Sequence, residues 1–144
     1  MFKKDKSKID KITSVIGAGT SIGGEFRFCE GAHIDGSVDG SVYAVEMKSS
    51  ALVVSELGNI SGNVYVETLL FNGQIKGDIY ASKIVRLGAN ARVSGNVYYH
   101  KVEMAMGAEV VGKLIKLDQE AWESMSIKSE TNNDYSLSGE LDNG

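Results

Sequence analysis

A four-residue phrase recurs along this chain: Gly40-Ser41-Val42-Tyr43, Gly62-Asn63-Val64-Tyr65, Gly77-Asp78-Ile79-Tyr80 and Gly95-Asn96-Val97-Tyr98. It is part of a wider pattern, apolar-x-Gly-x-apolar, with central glycines at 24, 40, 62, 77, 95 and 112. The gaps are 16, 22, 15, 18 and 17 residues, and a further copy, Ile34-Asp35-Gly36-Ser37-Val38, overlaps the second. A unit of about 17 residues is too short for a strand–helix–strand crossover, which takes about 30. Antiparallel hairpins would not return in phase. The period fits one coil of a β-solenoid, in which three short strands turn round a triangular axis. Each strand then pairs in parallel with its equivalent one coil on, about 4.8 Å away. The expectation is an all-β, single-domain parallel β-helix of about six coils.

Within each copy the apolar residues alternate as in a half-buried strand. Ile60, Val64 and Val66 fall on one side, and Ser61, Asn63 and Tyr65 on the other. The linking segments alternate too: Val85, Leu87, Ala89, Ala91 and Val93 share one parity, as do Val102, Met104, Met106, Ala108 and Val110. The glycines have the inward parity. This suggests that they let the walls approach across a narrow interior, so that Val at Gly77 or Gly95 overpacks the core by about 1–3 kcal/mol. Equivalent side chains should stack from coil to coil. Asn63, Asp78 and Asn96 form one outward column between Ser41 and Lys113. Tyr43, Tyr65, Tyr80 and Tyr98 form another, ending in Arg27 and Ile115, and present a possible lateral face for bundling or for a partner.

The two ends of such a rod expose unpaired backbone groups and cut faces of the core. The chain holds 17 glycines and no proline, which could otherwise discourage pairing at an edge. Val15, Ile16, Ile22, Phe26 and Phe28 belong to the first coil; Met104, Met106, Val110, Leu114 and Leu117 belong to the last. No cap is evident at either end, so these residues are expected to make polymer contacts by end-to-end association. The alternative is that the tail folds over one end through Trp122, Met125 and Ile127.

Charge divides the chain into residues 1–13, 14–117 and 118–144. Residues 1–12 carry five lysines against Asp5 and Asp10, and residues 118–144 carry seven acids against Lys128. The last segment, polar and acidic, is expected to be disordered. A net charge of −4 disfavours nucleic acid as a partner. The start, MFKKDKSKIDKI, lacks the apolar stretch of a secretory signal, and no run approaches the roughly 20 apolar residues of a membrane span. A cytoplasmic location is expected. Met1, Phe2, Lys3, Lys4 and Lys6 suit a membrane surface: Phe2 enters the interface and each lysine contributes about 1 kcal/mol toward anionic headgroups.

Signs of chemistry are weak. Gly107 to Leu114 matches a phosphate-binding loop until Leu114 stands where Ser or Thr must hold magnesium. Gly17-Ala18-Gly19 begins a dinucleotide fingerprint, but Ile22 takes the third glycine's place. His33 and His100 have no local metal-ligand partner, and Cys29 has no adjacent base. Asp35 and Asp39, read as one strand, lie about 13 Å apart, beyond the separation of a glycosidase pair. No catalytic residue, cofactor or metal site is expected.

The basic start beginning MFKK, the glycine-punctuated middle and the polar tails together resemble the bactofilins, bacterial polymer-forming cytoskeletal proteins. The resemblance spans roughly Val15 to Leu117 and the first few residues. It implies a right-handed parallel β-helix that forms filaments without nucleotide. It also implies a scaffold for cell shape or for localising envelope machinery, often cell-wall hydrolases. By the resemblance, assembly depends on an apolar side chain of a terminal coil, here Val110 or Leu114, and the N-terminal segment attaches to the inner face of the cytoplasmic membrane. The rival readings are a hexapeptide-type acyltransferase, also a solenoid but with a stricter six-residue period, and a carbohydrate- or peptide-binding module using the tyrosines.

Overall fold

The computed structural model describes residues 12–122. Their strands form a parallel β-solenoid of about six turns. Every ladder among the described residues is parallel. The first face is a six-stranded sheet of β2 (Ser21–Gly23), β5 (Ser37–Asp39), β8 (Asn59–Ser61), β10 (Gln74–Lys76), β12 (Arg92–Ser94) and β14 (Glu109–Val111). The other two faces belong to one nine-stranded sheet that folds round a corner. Its second face holds β3 (Phe26–Phe28), β6 (Val42–Ala44), the front halves of β9 (Val64–Phe71), β11 (Ile79–Leu87) and β13 (Val97–Met104), and β15 (Leu114–Lys116). Its third face holds β1 (Ser14–Ile16), β4 (Gly31–Ile34), β7 (Ala51–Val54) and the back halves of β9, β11 and β13. The ladder slips between Ala81 and Ile84, and this irregularity makes the corner between the second and third faces.

Three apolar columns fill the interior. One runs Ile22, Val38, Ile60, Ile75, Val93, Val110. A second runs Phe26, Val42, Val64, Ile79, Val97, Leu114. The third runs Ile16, Ile34, Val54, Phe71, Leu87, Met104. Their middle members are buried. Like residues stack because each coil sees the same neighbours above and below.

The unequal gaps arise at the corners. Between the third and first faces the turn takes four residues at 17–20, 55–58, 88–91 and 105–108, but two at 35–36 and 72–73. The two-residue corners fall in the 16- and 15-residue coils. The 22-residue coil also carries the loop 45–50. Ser50, fully buried, anchors it: its hydroxyl donates to the carbonyl of Met47 (2.6 Å) and accepts from the amide of Glu67 (2.9 Å). The four-residue turns also interrupt the alternation. Ala89 and Met106, expected with the inward row, stand on turns, and Met106 is 95% exposed.

The repeating glycines are needed for a different reason from the one their parity suggests. Gly40, Gly62, Gly77, Gly95 and Gly112 sit at the corner between the first and second faces with φ of 150° to 156°. A Cβ at any of them would fall on the backbone carbonyl of the corner glycine one coil before. The close approach is therefore along the axis, corner upon corner, and not between walls across the interior.

Candidate assembly faces and the tyrosine ladder

Beside the glycine corner stands a polar column. The Asn63 amide N–H donates to Ser41 Oγ (3.1 Å). Above it the amide of Asp78 donates to Asn63 Oδ1 (2.9 Å), that of Asn96 to Asp78 Oδ1 (2.9 Å) and that of Lys113 to Asn96 Oδ1 (3.0 Å). Each side chain satisfies a corner amide that the sheet ladder leaves out. This explains why the phrase carries Ser, Asn or Asp after its glycine. The series stops at Lys113, whose side chain has no acceptor.

Two residues on, the rings of Tyr43, Tyr65, Tyr80 and Tyr98 stack with centroids 4.9, 4.7 and 4.6 Å apart and planes within 5°. The spacing is that of the strands. Arg27 lies 5.4 Å over Tyr43, and Ile115 pairs with Tyr98. Both faces of the Tyr43, Tyr65 and Tyr80 rings are thus occupied by neighbours. A glycan that stacks on aromatic faces finds none open on these three rings, which counts against the carbohydrate-module reading. Burial raises the Tyr65 phenol above its ordinary value. Burial first, then the neighbouring Tyr65, Asp78 and Tyr98, push Tyr80 up to about 12.

Two predictions follow the ladder. A phenol whose pKa is raised on folding favours the folded state while it is neutral. That contribution is complete below pH 10 and lost as pH rises through about 12. The melting temperature should therefore fall across this window, with phenolate absorbance showing a late midpoint that Tyr80→Phe removes. The absence of any phenol titrating above the ordinary range contradicts the stack. Separately, Tyr65→Ser with Tyr98→Ser deletes all three ring contacts and should lower stability by about 1–3 kcal/mol, read by thermal melting. Loss of filament bundles with no change in melting would make the ladder an interface instead.

The ends are unlike. At the C-terminal end all three core columns run out into solvent: Met104 is 44% and Leu114 42% exposed, and Val110 is part-buried. Met104, Val110 and Leu114 line one shallow concavity with Ala108 and Val111. At the N-terminal end Ile16 and Phe28 are buried, which removes them from the expected contact surface. Ile22 and Phe26 are part-buried, and the rings of Phe26 and Phe28 stack 6.1 Å apart. Val15 is 67% exposed but points outward, in register with His33 and Val53.

Sequence reasoning missed Val111, which is 72% exposed. Its outward column reads Gly23, Asp39, Ser61, Lys76, Ser94, and only the last coil makes it apolar. That break of type was the available signal. Leu117 is part-buried, and its amide donates to the Tyr99 carbonyl (2.9 Å). The chain then continues into a helical turn at residues 119–122, where Trp122 is 6% exposed. Met1, Phe2, Lys3, Lys4 and Lys6 lie outside the described residues, as do Met125 and Ile127.

The motifs set aside in the sequence are absorbed by the coils. Residues 109–111 of the loop-like Gly107 to Leu114 stretch are β14, followed by β15 and not by a helix. Asp35 and Asp39 do not share a strand: Asp35 is at a corner and Asp39 ends β5. His33 Nε2 lies 2.9 Å from Asp35 Oδ1. The Ser55 hydroxyl first, and then His33, hold the Asp35 carboxyl below its ordinary value against desolvation, which raises it. Cys29 is a free, exposed thiol. Among the described residues no three His, Cys, Asp or Glu gather as a metal site, and no helix is long and apolar enough to cross a membrane.

These features define a class: a parallel β-solenoid whose side chains serve to stack one coil on the next, with an unfinished core at one end. A family model for the bactofilins, described as polymer-forming cytoskeletal, matches residues 14–115. That is well over half of the chain, and the chain belongs to the bactofilin family. The family is a structural one. No curated protein and no solved structure matches the chain.

Proposed function

We propose that the protein is a cytoskeletal scaffold whose solenoids join end to end into filaments without nucleotide. The observation that carries this reading is the close of three core columns at Met104, Val110 and Leu114, which with Val111 line one concavity at the end of the solenoid. Covering such a face removes apolar surface from water at roughly 25 cal/mol per Å². Mass action on identical joints is sufficient to drive growth, and no bond need be hydrolysed. Ile22 and Phe26, part-buried, are the matching candidates at the other end.

The filament is proposed to lie on the inner face of the cytoplasmic membrane through Met1, Phe2, Lys3, Lys4 and Lys6. One such segment binds weakly, but many along a filament act together. There it serves cell shape or localises envelope proteins such as cell-wall hydrolases. Negative-stain microscopy and sedimentation of nucleotide-free protein test the assembly. Filaments that lengthen with protein concentration are expected. Monomers alone at high concentration, in any buffer, overturn it.

A further inference from the structure

The solenoid ends in a step. The front half of β13 is covered by β15, from Val97 opposite Leu114 to Tyr99 opposite Lys116. Among the described residues nothing pairs with its back half, Lys101–Met104, on the same side. The chain arrives at this edge in register, because the Leu117 amide donates to the Tyr99 carbonyl. Another coil would begin with a strand laid over Lys101–Met104. Asp118 stops it: its carboxylate accepts from the Ala121 amide (2.8 Å) and its carbonyl from the Trp122 amide (3.1 Å), which closes a helical turn.

Residues 119–122 alone cannot bury an indole, yet Trp122 is buried. The end of the solenoid beside Leu117 is the surface within its reach. A helix rises only about 1.5 Å per residue, so the seat lies close to where Leu117 is tied, at the Tyr99–His100 corner. His100, which stands at that corner, shares one feature with Trp122. Among the described residues, the two buried side-chain nitrogen or oxygen atoms without a hydrogen-bond partner are Trp122 Nε1 and His100 Nδ1. An indole N–H without an acceptor marks a seat filled for its apolar area and not locked by polar contacts.

We propose that the segment from Asp118 to Trp122 is a latch on the C-terminal end. It sits at the edge that the next copy must reach, and its release controls growth there. The inference rests on the end-to-end reading above. Molecules with the latch seated are incompetent at that end, so the concentration needed for assembly is raised by the reciprocal of the open fraction.

Trp122 is the chain's single tryptophan, so its emission reports the latch directly. In the full chain, emission is expected at short wavelength when dilute and to shift to longer wavelength as polymer forms. Trp122→Ala should lower the critical concentration for sedimentable polymer about tenfold if about nine molecules in ten are latched. If Trp122→Ala melts before assembly can be read, Trp122→Phe, a smaller ring in the same seat, carries the test with the same direction expected. A critical concentration that is unchanged or raised in the variant that folds, or emission that stays at short wavelength in polymer, overturns the latch. Absence of polymer in both wild type and variant overturns the end-to-end reading itself.

Discussion

Gly77→Ala is expected to unfold most of the protein at temperatures where the parent is native. The new Cβ would meet the carbonyl group of Gly62, with its carbon at 2.6 Å, and both colliding groups are backbone. Neither can yield cheaply. The Gly62 amide is bonded to the Lys76 carbonyl and the Gly77 amide to the Ser94 carbonyl, each at 3.0 Å. A φ of +152° adds strain that alanine cannot relieve. The sum should exceed about 4 kcal/mol, a large part of the roughly 5–15 kcal/mol that holds a domain together. Gly23→Ala is the control. Gly23 lies in β2 with nothing within 4 Å of its would-be Cβ, and its change should stay within about 0.5 kcal/mol. Polymer would make melting depend on concentration, so both variants are best compared in a background that does not assemble. Similar melting of the two would refute the stacked-corner account.

Leu114→Arg supplies that background and is the second large effect. Leu114 closes the Phe26-to-Val97 column and is 42% exposed, so an arginine stem can lie along Val97 while its head reaches water. The isolated fold should keep its melting temperature within a few degrees. In a joint the same guanidinium would be buried without a partner, at a cost of several kcal/mol. Each 1.4 kcal/mol is tenfold, so the critical concentration should rise by at least about a hundredfold. Sedimentation should show a folded, smaller particle. Filaments unchanged by the substitution would remove Leu114 from the joint.

Much of the fold was legible because a solenoid writes its geometry as periodicity. The phrase at Gly62, Gly77 and Gly95 predicts coil count, parallel pairing and both outward columns, since each coil must present the same side chain to the next. The parity of the glycines misled, because alternation assumes a continuous strand. The corner breaks it, and φ near 150° turns the chain between faces. Met106 misled in the same way: a four-residue turn takes it out of the inward row and leaves it almost wholly exposed. The two ends also differ in a way the repeat does not show: Phe28 is buried and Phe26 part-buried at one, while Met104 and Leu114 stay largely exposed at the other.

The sequence alone determined that this chain winds in register, which residues of its strands point in, and that the polymer-forming bactofilins are its family. Those properties are local and repeat, so one strand's pattern predicts the next. Which end stays open, that corner glycines meet along the axis, and that Trp122 is buried after the last strand were decided only by the tertiary structure. They depend on where a coil has no neighbour, and a repeat carries no record of its own last copy.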